Sequence, residues 1–320
     1  MTKLWLAVVV TAAVVCDACG GATPGAQSSP STASQFLQGK GTTWQVVITA
    51  QQAEITGLAL DGHGDIYVAG ITDDQIAEYS LDGKFVRKWG THGAGPGQFS
   101  EPAKVAVDLK GNVYVSDLDN NRVQKFSPTG DPLAQWGGPS TNAEPGKFNF
   151  PIGVAIDKEG DVLVVDAHNH RIQKLSPQGV PLAQWGSQGT GPGELATPYD
   201  LALDAHDNLY VSDIGTDQVQ EFSSRGDAVA QWGGSGADPG KFSSPTGVAV
   251  DGAGNVYVVD TGNNRIEKLS GSGEFLRQWS GPSSRPFSIH TEMAMDSAGN
   301  LYVSEDNLIL KICVNAGGCH

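Results

Sequence analysis

A pattern that recurs about every 47 residues is the feature that most constrains the fold of this chain. An aspartate that ends a short apolar run recurs six times, at intervals of 45 to 49 residues, as Asp61, Asp108, Asp157, Asp204, Asp251 and Asp296. A tryptophan recurs at nearly the same intervals, as Trp89, Trp136, Trp185, Trp232 and Trp279. Such a period indicates a row of equal units, each of which needs its neighbours to bury its faces.

Each unit has the pattern of four short β-strands. In the fifth copy, alternating Val, Ile, Tyr and Phe are interrupted by Gly, Asn and Ser, which predicts strands at residues 248–251, 255–260, 265–270 and 274–279. The last copy, residues 292–314, has only three strand-like pieces, whereas the strand-like segment Thr42–Thr49 stands alone. We therefore predict an all-β, six-bladed β-propeller that is closed by an N-terminal strand joining the last blade.

The chain ahead of the repeats has the composition of an export signal followed by a linker. Residues 1–19 contain one lysine and then about a dozen apolar residues, a pattern typical of a signal peptide. Residues 20–41 are small, polar and proline-rich, which predicts a flexible linker, and residues 42–320 form the predicted propeller. Cys19 is a candidate lipidation site, although the residues before it match such a site poorly. We expect an extracytoplasmic protein that is either lipid-anchored at the cell envelope or secreted.

Charge and cysteine content narrow the expected partners. The formal net charge of −15 is unfavourable for binding nucleic acid or anionic lipid, so membrane contact is expected only through a lipid anchor. Cys313 and Cys319 lie near the C-terminus, and in an exported chain this pair favours a disulfide. A metal site formed by these cysteines with His320 is the alternative. We expect a monomer.

The repeat resembles the NHL repeat. The resemblance rests on the order Pro-x-Gly-Val-Ala-Val-Asp, Gly-Asn-Val-Tyr-Val-x-Asp, Asn-x-Arg and Trp-Gly, as in residues 150–186, and it covers residues 55 to 314. It implies a six-bladed propeller. It also implies several functions, because the family includes receptor-kinase sensor domains, RNA-binding domains, interaction scaffolds and some metal-dependent lyases, and related propellers include lactonases.

A candidate ligand site lies where the first strand of each unit begins. Four residues before the recurring aspartate, glycine alternates with charge, in the order Gly57, Lys104, Gly153, Asp200, Gly247 and Glu292. We predict that these positions lie at the mouth of the central channel, on the top face, where the second-to-third loops and the interblade connectors also lie. The predicted ligand-binding residues are Lys104, Tyr199, Asp200, Thr246, His290 and Glu292. Mutual salt bridging is the alternative, but charges on alternating blades are not expected to touch directly.

Metal binding is a second hypothesis for the top face. The candidate ligands for a divalent cation, calcium or zinc, are Asp200, Glu292, His290, His168 and His170. For the two histidines of the Asp-Ala-His-Asn-His-Arg loop, a solvated loop is the alternative. No catalytic residue is assigned. The recurring Asp-x₄-Arg pairs, the Gly-rich connectors and the tryptophans are interpreted as structural.

These features predict an exported, non-catalytic NHL-repeat propeller that acts as a sensor or scaffold at the cell envelope. Its expected partner is an envelope protein, a small molecule or a saccharide. The alternative is a metal-dependent lyase or lactonase-type hydrolase whose site lies at the top of the central channel.

Overall fold

The computed structural model describes residues 36–51, 54–139 and 143–313, and within them 25 strands form six antiparallel sheets. Two strands come first in the chain, β1 (Phe36–Gly39) and β2 (Thr42–Thr49). Blades 1 to 3 follow with β3 (Ile55–Leu60), β4 (Ile66–Gly70), β5 (Gln75–Tyr79), β6 (Phe85–Trp89), β7 (Pro102–Val107), β8 (Val113–Asp117), β9 (Arg122–Phe126), β10 (Pro132–Gly137), β11 (Pro151–Ile156), β12 (Val162–Asp166), β13 (Arg171–Leu175) and β14 (Pro181–Trp185). Blades 4 to 6 contain β15 (Pro198–Leu203), β16 (Leu209–Asp213), β17 (Gln218–Phe222), β18 (Ala228–Gly233), β19 (Pro245–Val250), β20 (Val256–Asp260), β21 (Arg265–Leu269), β22 (Phe275–Ser280), β23 (Met293–Met295), β24 (Asn300–Glu305) and β25 (Leu308–Cys313).

The recurring aspartates form the turns that connect the first and second strands. In blade 2, Asp108 Oδ1 accepts hydrogen bonds from the amides of Lys110 and Asn112, both at 2.9 Å. Gly111 completes this turn at a φ of 77°, a backbone conformation that glycine adopts without a steric penalty. The second strands are buried throughout because neighbouring blades cover both of their faces, and the hydrophobic core therefore lies between blades.

The N-terminal strand closes the ring, as the sequence predicts. Strand β2 pairs antiparallel with β25 in the last blade, from Gln45 opposite Lys311 to Thr49 opposite Leu308. The Trp44 side chain is fully buried, and its indole N–H donates to the Ser280 carbonyl at 2.9 Å. The structure thus confirms a six-bladed propeller with this closure.

The start of the sheet differs from the prediction. Strand β1 lies within the segment that the sequence assigns to the flexible linker, and it pairs with β2 as a fifth strand of blade 6. Gly39 also bridges Pro282, and the Gln38 carbonyl accepts a hydrogen bond from the Ser283 amide. Tertiary partners therefore order four residues whose composition predicts no strand.

The tryptophans and the Asp-x₄-Arg pairs have the structural roles that the sequence predicts. Trp136 stacks on Tyr114 with ring centroids 6.1 Å apart, and the same contact recurs in blades 4 and 5. Arg122 Nε donates to Asp117 Oδ2 at 2.8 Å, and its Nη atoms donate to three carbonyls of the connector that precedes blade 2. These pairs therefore attach the second-to-third loop to the interblade connector.

Several predictions concern residues outside the described part of the chain. These are the signal peptide, the lipidation of Cys19 and the disulfide, since Cys319 and the Cys313 side chain are not described. Within the described ranges, no helix has the length and apolarity that crossing a membrane requires.

Candidate functional site

The first strands of the six blades line the centre of the ring and pack against one another in sequence, with β23 returning to β3. In blades 2 to 5 these strands begin at a proline, which in blade 5 lies three residues before the predicted start. In blades 2 and 4 a β-bulge follows, between Pro102 and Val105 and between Pro198 and Leu201. Lys104 and Asp200 lie in these bulges, which redirect side chains relative to the regular pleat.

The three charged residues of the central channel are in direct contact. The Lys104 ammonium contacts the Glu292 carboxylate and lies 3.6 Å from Asp200 Oδ1. Their exposed fractions are 4%, 3% and 7% respectively. The expectation that charges on alternating blades do not touch is therefore wrong. The ring brings blades 2, 4 and 6 close enough for the long lysine side chain to reach both carboxylates.

The charged groups of this central ion cluster (Lys104, Asp200 and Glu292) are paired by contact within the protein, although Lys104 Nζ and Glu292 Oε1 lack hydrogen-bond geometry. Burial lowers the pKa of Lys104 to about 8, while the Asp200 carboxylate opposes this shift. Asp200 Oδ2 also accepts a hydrogen bond from the Val248 amide of the next blade at 3.1 Å. Two carboxylates and one ammonium leave the cluster with one net negative charge.

Serines support the backbone of the cluster. The amide of each charged residue donates to a serine hydroxyl on the second strand of its own blade: Lys104 to Ser116, Asp200 to Ser212 and Glu292 to Ser304, at 3.0, 3.1 and 2.9 Å. The other blades have Ala69, Val165 and Val259 at the serine position. Our interpretation of the sequence missed these serines, although their alternation follows that of the charges and could have revealed them.

Glycine and charge alternate because each glycine makes room for the charged residue of the next blade. A Cβ atom on Gly153 would lie 3.2 Å from the Asp200 Cα and 2.7 Å from a methyl group of Val165. Likewise, a Cβ atom on Gly57 would lie 2.9 Å from the Lys104 Cα. The pattern is therefore a packing requirement of the channel as well as a distribution of charge.

The mouth of the channel contains residues that come from several blades. The Tyr199 ring centroid lies 5.2 Å from the Lys104 Nζ, and burial raises the pKa of this tyrosine. The Tyr199 hydroxyl donates to the Ile289 carbonyl at 2.6 Å. The Thr246 hydroxyl donates to the Thr291 carbonyl at 3.2 Å. These contacts link blades 4 and 5 to the connector before blade 6.

His290 is the predicted site residue that remains accessible. Its Nδ1 lies 2.5 Å from Glu54 Oε1, and the two side chains are 30% and 40% exposed. Ile289 beside it is 52% exposed. The structure thus joins Lys104, Asp200, Glu292 and Tyr199, whereas Thr246 contacts the Thr291 carbonyl and His290 contacts Glu54. It buries the three charges and leaves His290, with Glu54 and Ile289, at the surface.

The candidate metal ligands are separated. The His168 ring stacks on Phe150 with centroids 4.6 Å apart, and burial lowers the pKa of His168. His170 Nδ1 lies 2.8 Å from the Ala196 carbonyl, so neither ring is a free loop side chain. Among the described residues, no group of three or more His, Cys, Asp or Glu side chains has an arrangement that could hold a metal ion. Lys104 takes the position between Asp200 and Glu292 where a cation would bind.

Comparison with known proteins identifies the repeats. A family model described as the NHL repeat matches residues 99–126, 148–175 and 242–269. A search of curated proteins finds no match.

Similar solved structures support the fold. A catalytically inactive variant of virginiamycin B lyase from Staphylococcus aureus with quinupristin is 15% identical, with a TM-score of 0.60 over 87% of this chain and 99% of that one. XC5397 from Xanthomonas campestris, a gluconolactonase, is 16% identical, with a TM-score of 0.63 over 84% and 89%. A chain of a nidogen/laminin complex is 18% identical, with a TM-score of 0.55 over 77% and 92%. At such identities these likenesses concern the fold alone. This chain is therefore a six-bladed β-propeller that contains NHL repeats in blades 2, 3 and 5.

Proposed function

We propose that this chain is an exported, non-catalytic binding module that presents the top face of a rigid ring to an envelope protein, a small molecule or a saccharide. The observation that carries the proposal is the ion cluster. The Lys104 ammonium pairs with the carboxylates of Asp200 and Glu292 in a buried position, where the three groups join blades 2, 4 and 6. Groups paired in this way contribute to the scaffold, and recognition is left to the exposed top face.

The location of the module is proposed from the sequence. The apolar N-terminal segment and the linker favour a monomeric protein outside the cytoplasm, secreted or held by lipid at Cys19. The accessible residues at the channel mouth are Glu54, Ile289 and His290, and they combine an ion pair with an apolar side chain. Such a mixture suits a protein surface or a sugar with both polar and apolar faces.

Site-specific crosslinking tests this proposal. A photoreactive amino acid replaces Ile289 on the top face, and the matched control replaces Leu109, which is 95% exposed in a turn at the opposite end of blade 2. After irradiation of cells that express the full chain, we expect a discrete adduct from position 289 and none from position 109. No adduct from position 289, or equal adducts from both positions, would contradict the binding of an envelope protein at the top face.

The alternative is a lyase or lactonase that uses a divalent metal. It is favoured by the meeting of two carboxylates, Asp200 and Glu292, at the channel centre, but a metal there would have to displace Lys104. The full chain is incubated with calcium or zinc and with quinupristin or gluconolactone. Metal-dependent turnover that Glu292→Gln abolishes while the variant remains folded would favour the enzyme over the binding module.

A further inference from the structure

In blades 2 to 5, one position on the third strand contacts the connector that precedes the blade. Blades 2 to 4 have Gln124, Gln173 and Gln220 there. In each, Oε1 accepts from a glycine amide of the connector at 2.8 to 3.0 Å, and Nε2 donates to a connector carbonyl, that of Gln98, Lys147 or Glu194. In blades 2 and 3, Nε2 also donates to the buried aspartate at the end of the second strand. The glutamine thus holds the connector with one acceptor and one donor.

Blade 5 has a glutamate at this position. Glu267 is fully buried, and its Oε2 accepts from the Gly240 amide at 2.9 Å, as the glutamine Oε1 atoms do. Its Oε1 lies 3.0 Å from Arg265 Nη2 without the geometry of a hydrogen bond. Because Glu267 is equivalent to the glutamines of blades 2 to 4, its Oε1 takes the place of the glutamine Nε2. In blades 2 and 3 this Nε2 donates to a carbonyl and a carboxylate. An ionised glutamate has no hydrogen to donate there.

We propose that Glu267 keeps its carboxyl proton in the folded protein and donates it in place of the glutamine amide, so that loss of this proton loosens the blade 4–5 connector, residues 236–242, on the top face. The groups that would accept a hydrogen bond from the Glu267 carboxyl proton are the Lys241 carbonyl and the Asp260 carboxylate. They correspond to the groups that accept from the glutamine Nε2 atoms in blades 2 and 3. A titratable group thus replaces a permanent donor in one blade.

The charged groups that face Glu267 are few. Asp260 on β20 disfavours a second negative charge, while Arg265 on β21 favours it. The Lys241 ammonium donates to the Gly233 carbonyl instead. Burial raises the pKa of Glu267 to about 7, above the usual value of 4.5, with Gly240 and Arg265 opposing the shift. Because the folded protein binds this proton more tightly than the unfolded chain, the stabilisation is complete below pH 4.5 and is lost as the pH rises through 7.

Carboxyl ¹³C NMR of the full chain between pH 4 and 9 tests the proposal directly. We expect the Glu267 resonance to titrate near pH 7 and, over the same range, the Gly240 amide to lose hydrogen-exchange protection after correction for intrinsic rates. A Glu267 resonance that titrates near pH 4.5, or Gly240 protection that is independent of pH, would overturn it.

Glu267→Gln is the matched control variant, because it installs the residue of three sister blades. We expect the folding equilibrium constant of the variant to rise relative to wild type by about 150-fold between pH 4.5 and pH 8. Burial also raises the pKa of Glu305 to about 7. The stability of both proteins therefore has a second pH-dependent contribution, and this contribution cancels in the difference between them. A difference that is independent of pH would contradict the proposal. If the variant does not fold, the NMR titration of Glu267 in the wild-type protein tests the proposal by itself.

Discussion

Among single residues, Lys104 joins three blades through one side chain. Its ammonium contacts carboxylates from two other blades and lies near the Tyr199 ring. A buried ion pair is weak evidence for net stability, because desolvation offsets much of the attraction. Removing one partner is a different matter, since it leaves an uncompensated buried charge.

Lys104→Met should therefore destabilise the propeller strongly. The substitution leaves Asp200 and Glu292 buried without their counterion, and we expect a loss of about 3–5 kcal/mol in the free energy of unfolding. Urea denaturation measures the loss, with Lys110→Met in an exposed turn as the control. Adding Glu292→Gln to Lys104→Met should recover part of it. Equal stability of Lys104→Met and Lys110→Met would show that the ion cluster does not hold the blades together.

The alternation of glycine and charge leads to a second prediction at this scale. Gly153→Ala places a methyl group against Val165 and the Asp200 backbone, whereas a Cβ atom on Gly252 meets nothing within 4 Å. We expect Gly153→Ala to cost about 1–3 kcal/mol and Gly252→Ala to be nearly neutral. Thermal unfolding of the two variants distinguishes these outcomes. Similar losses in both would mean that general effects of replacing glycine dominate over packing between blades.

At the scale of elements, the Asp-x₄-Arg pairs bind loops to connectors. Blades 2, 3 and 5 share this arrangement, whereas blades 1 and 4 have Gln75 and Gln218 in place of the arginine. In blade 4, Asp213 instead accepts hydrogen bonds from the amides of Ala196, Thr197 and Gly215. The same loop is therefore stabilised in two ways within one molecule.

Arg122→Gln tests how far these two ways are interchangeable. The variant leaves the fully buried Asp117 without its cation and frees three connector carbonyls, so we expect a loss of about 3 kcal/mol in urea denaturation. Arg122→Lys should lose nearly as much, because an ammonium cannot reproduce the planar guanidinium contacts. Asp117→Asn combined with Arg122→Gln should be more stable than Arg122→Gln alone. A fully stable Arg122→Lys variant would show that charge alone suffices.

At the scale of the whole molecule, closure of the ring removes the sheet edges that an open array would expose. The strands that complete blade 6 come from both ends of the described chain, so separation of β2 from β25 would open the propeller. Trp44 lies at this seam, fully buried against Phe287, with ring centroids 5.7 Å apart in an edge-to-face arrangement.

Trp44→Ala should therefore weaken the closure. We expect a loss of about 3–5 kcal/mol, from a large buried side chain and its hydrogen bond to Ser280. Removal of residues 1–33, which precede the compact unit that starts at Ser34, should leave the melting temperature unchanged. Calorimetry measures both effects. A Trp44→Ala variant that melts with wild type would show that β2 is dispensable for closure.

The fold of this protein could be predicted in considerable detail, whereas its candidate site could be predicted only in part. Strand positions, blade number and closure follow from local patterns that six copies reinforce. The mouth residues were identified by comparing equivalent positions between copies. Their exposure was not predicted, because it depends on the width of the channel and on the connector that brings Ile289 over Tyr199.

The repeating unit and the closure of the ring follow from local patterns, because alternating apolar residues, Gly turns and a missing fourth strand have definite geometric consequences. The contact of Lys104 with Asp200 and Glu292, and the pairing of β1 with blade 6, are known from the folded structure alone. Both depend on distances between segments far apart in the chain, and ring closure sets those distances. The reach of one lysine across the channel is the physical reason that three charges form a buried cluster instead of a charged rim.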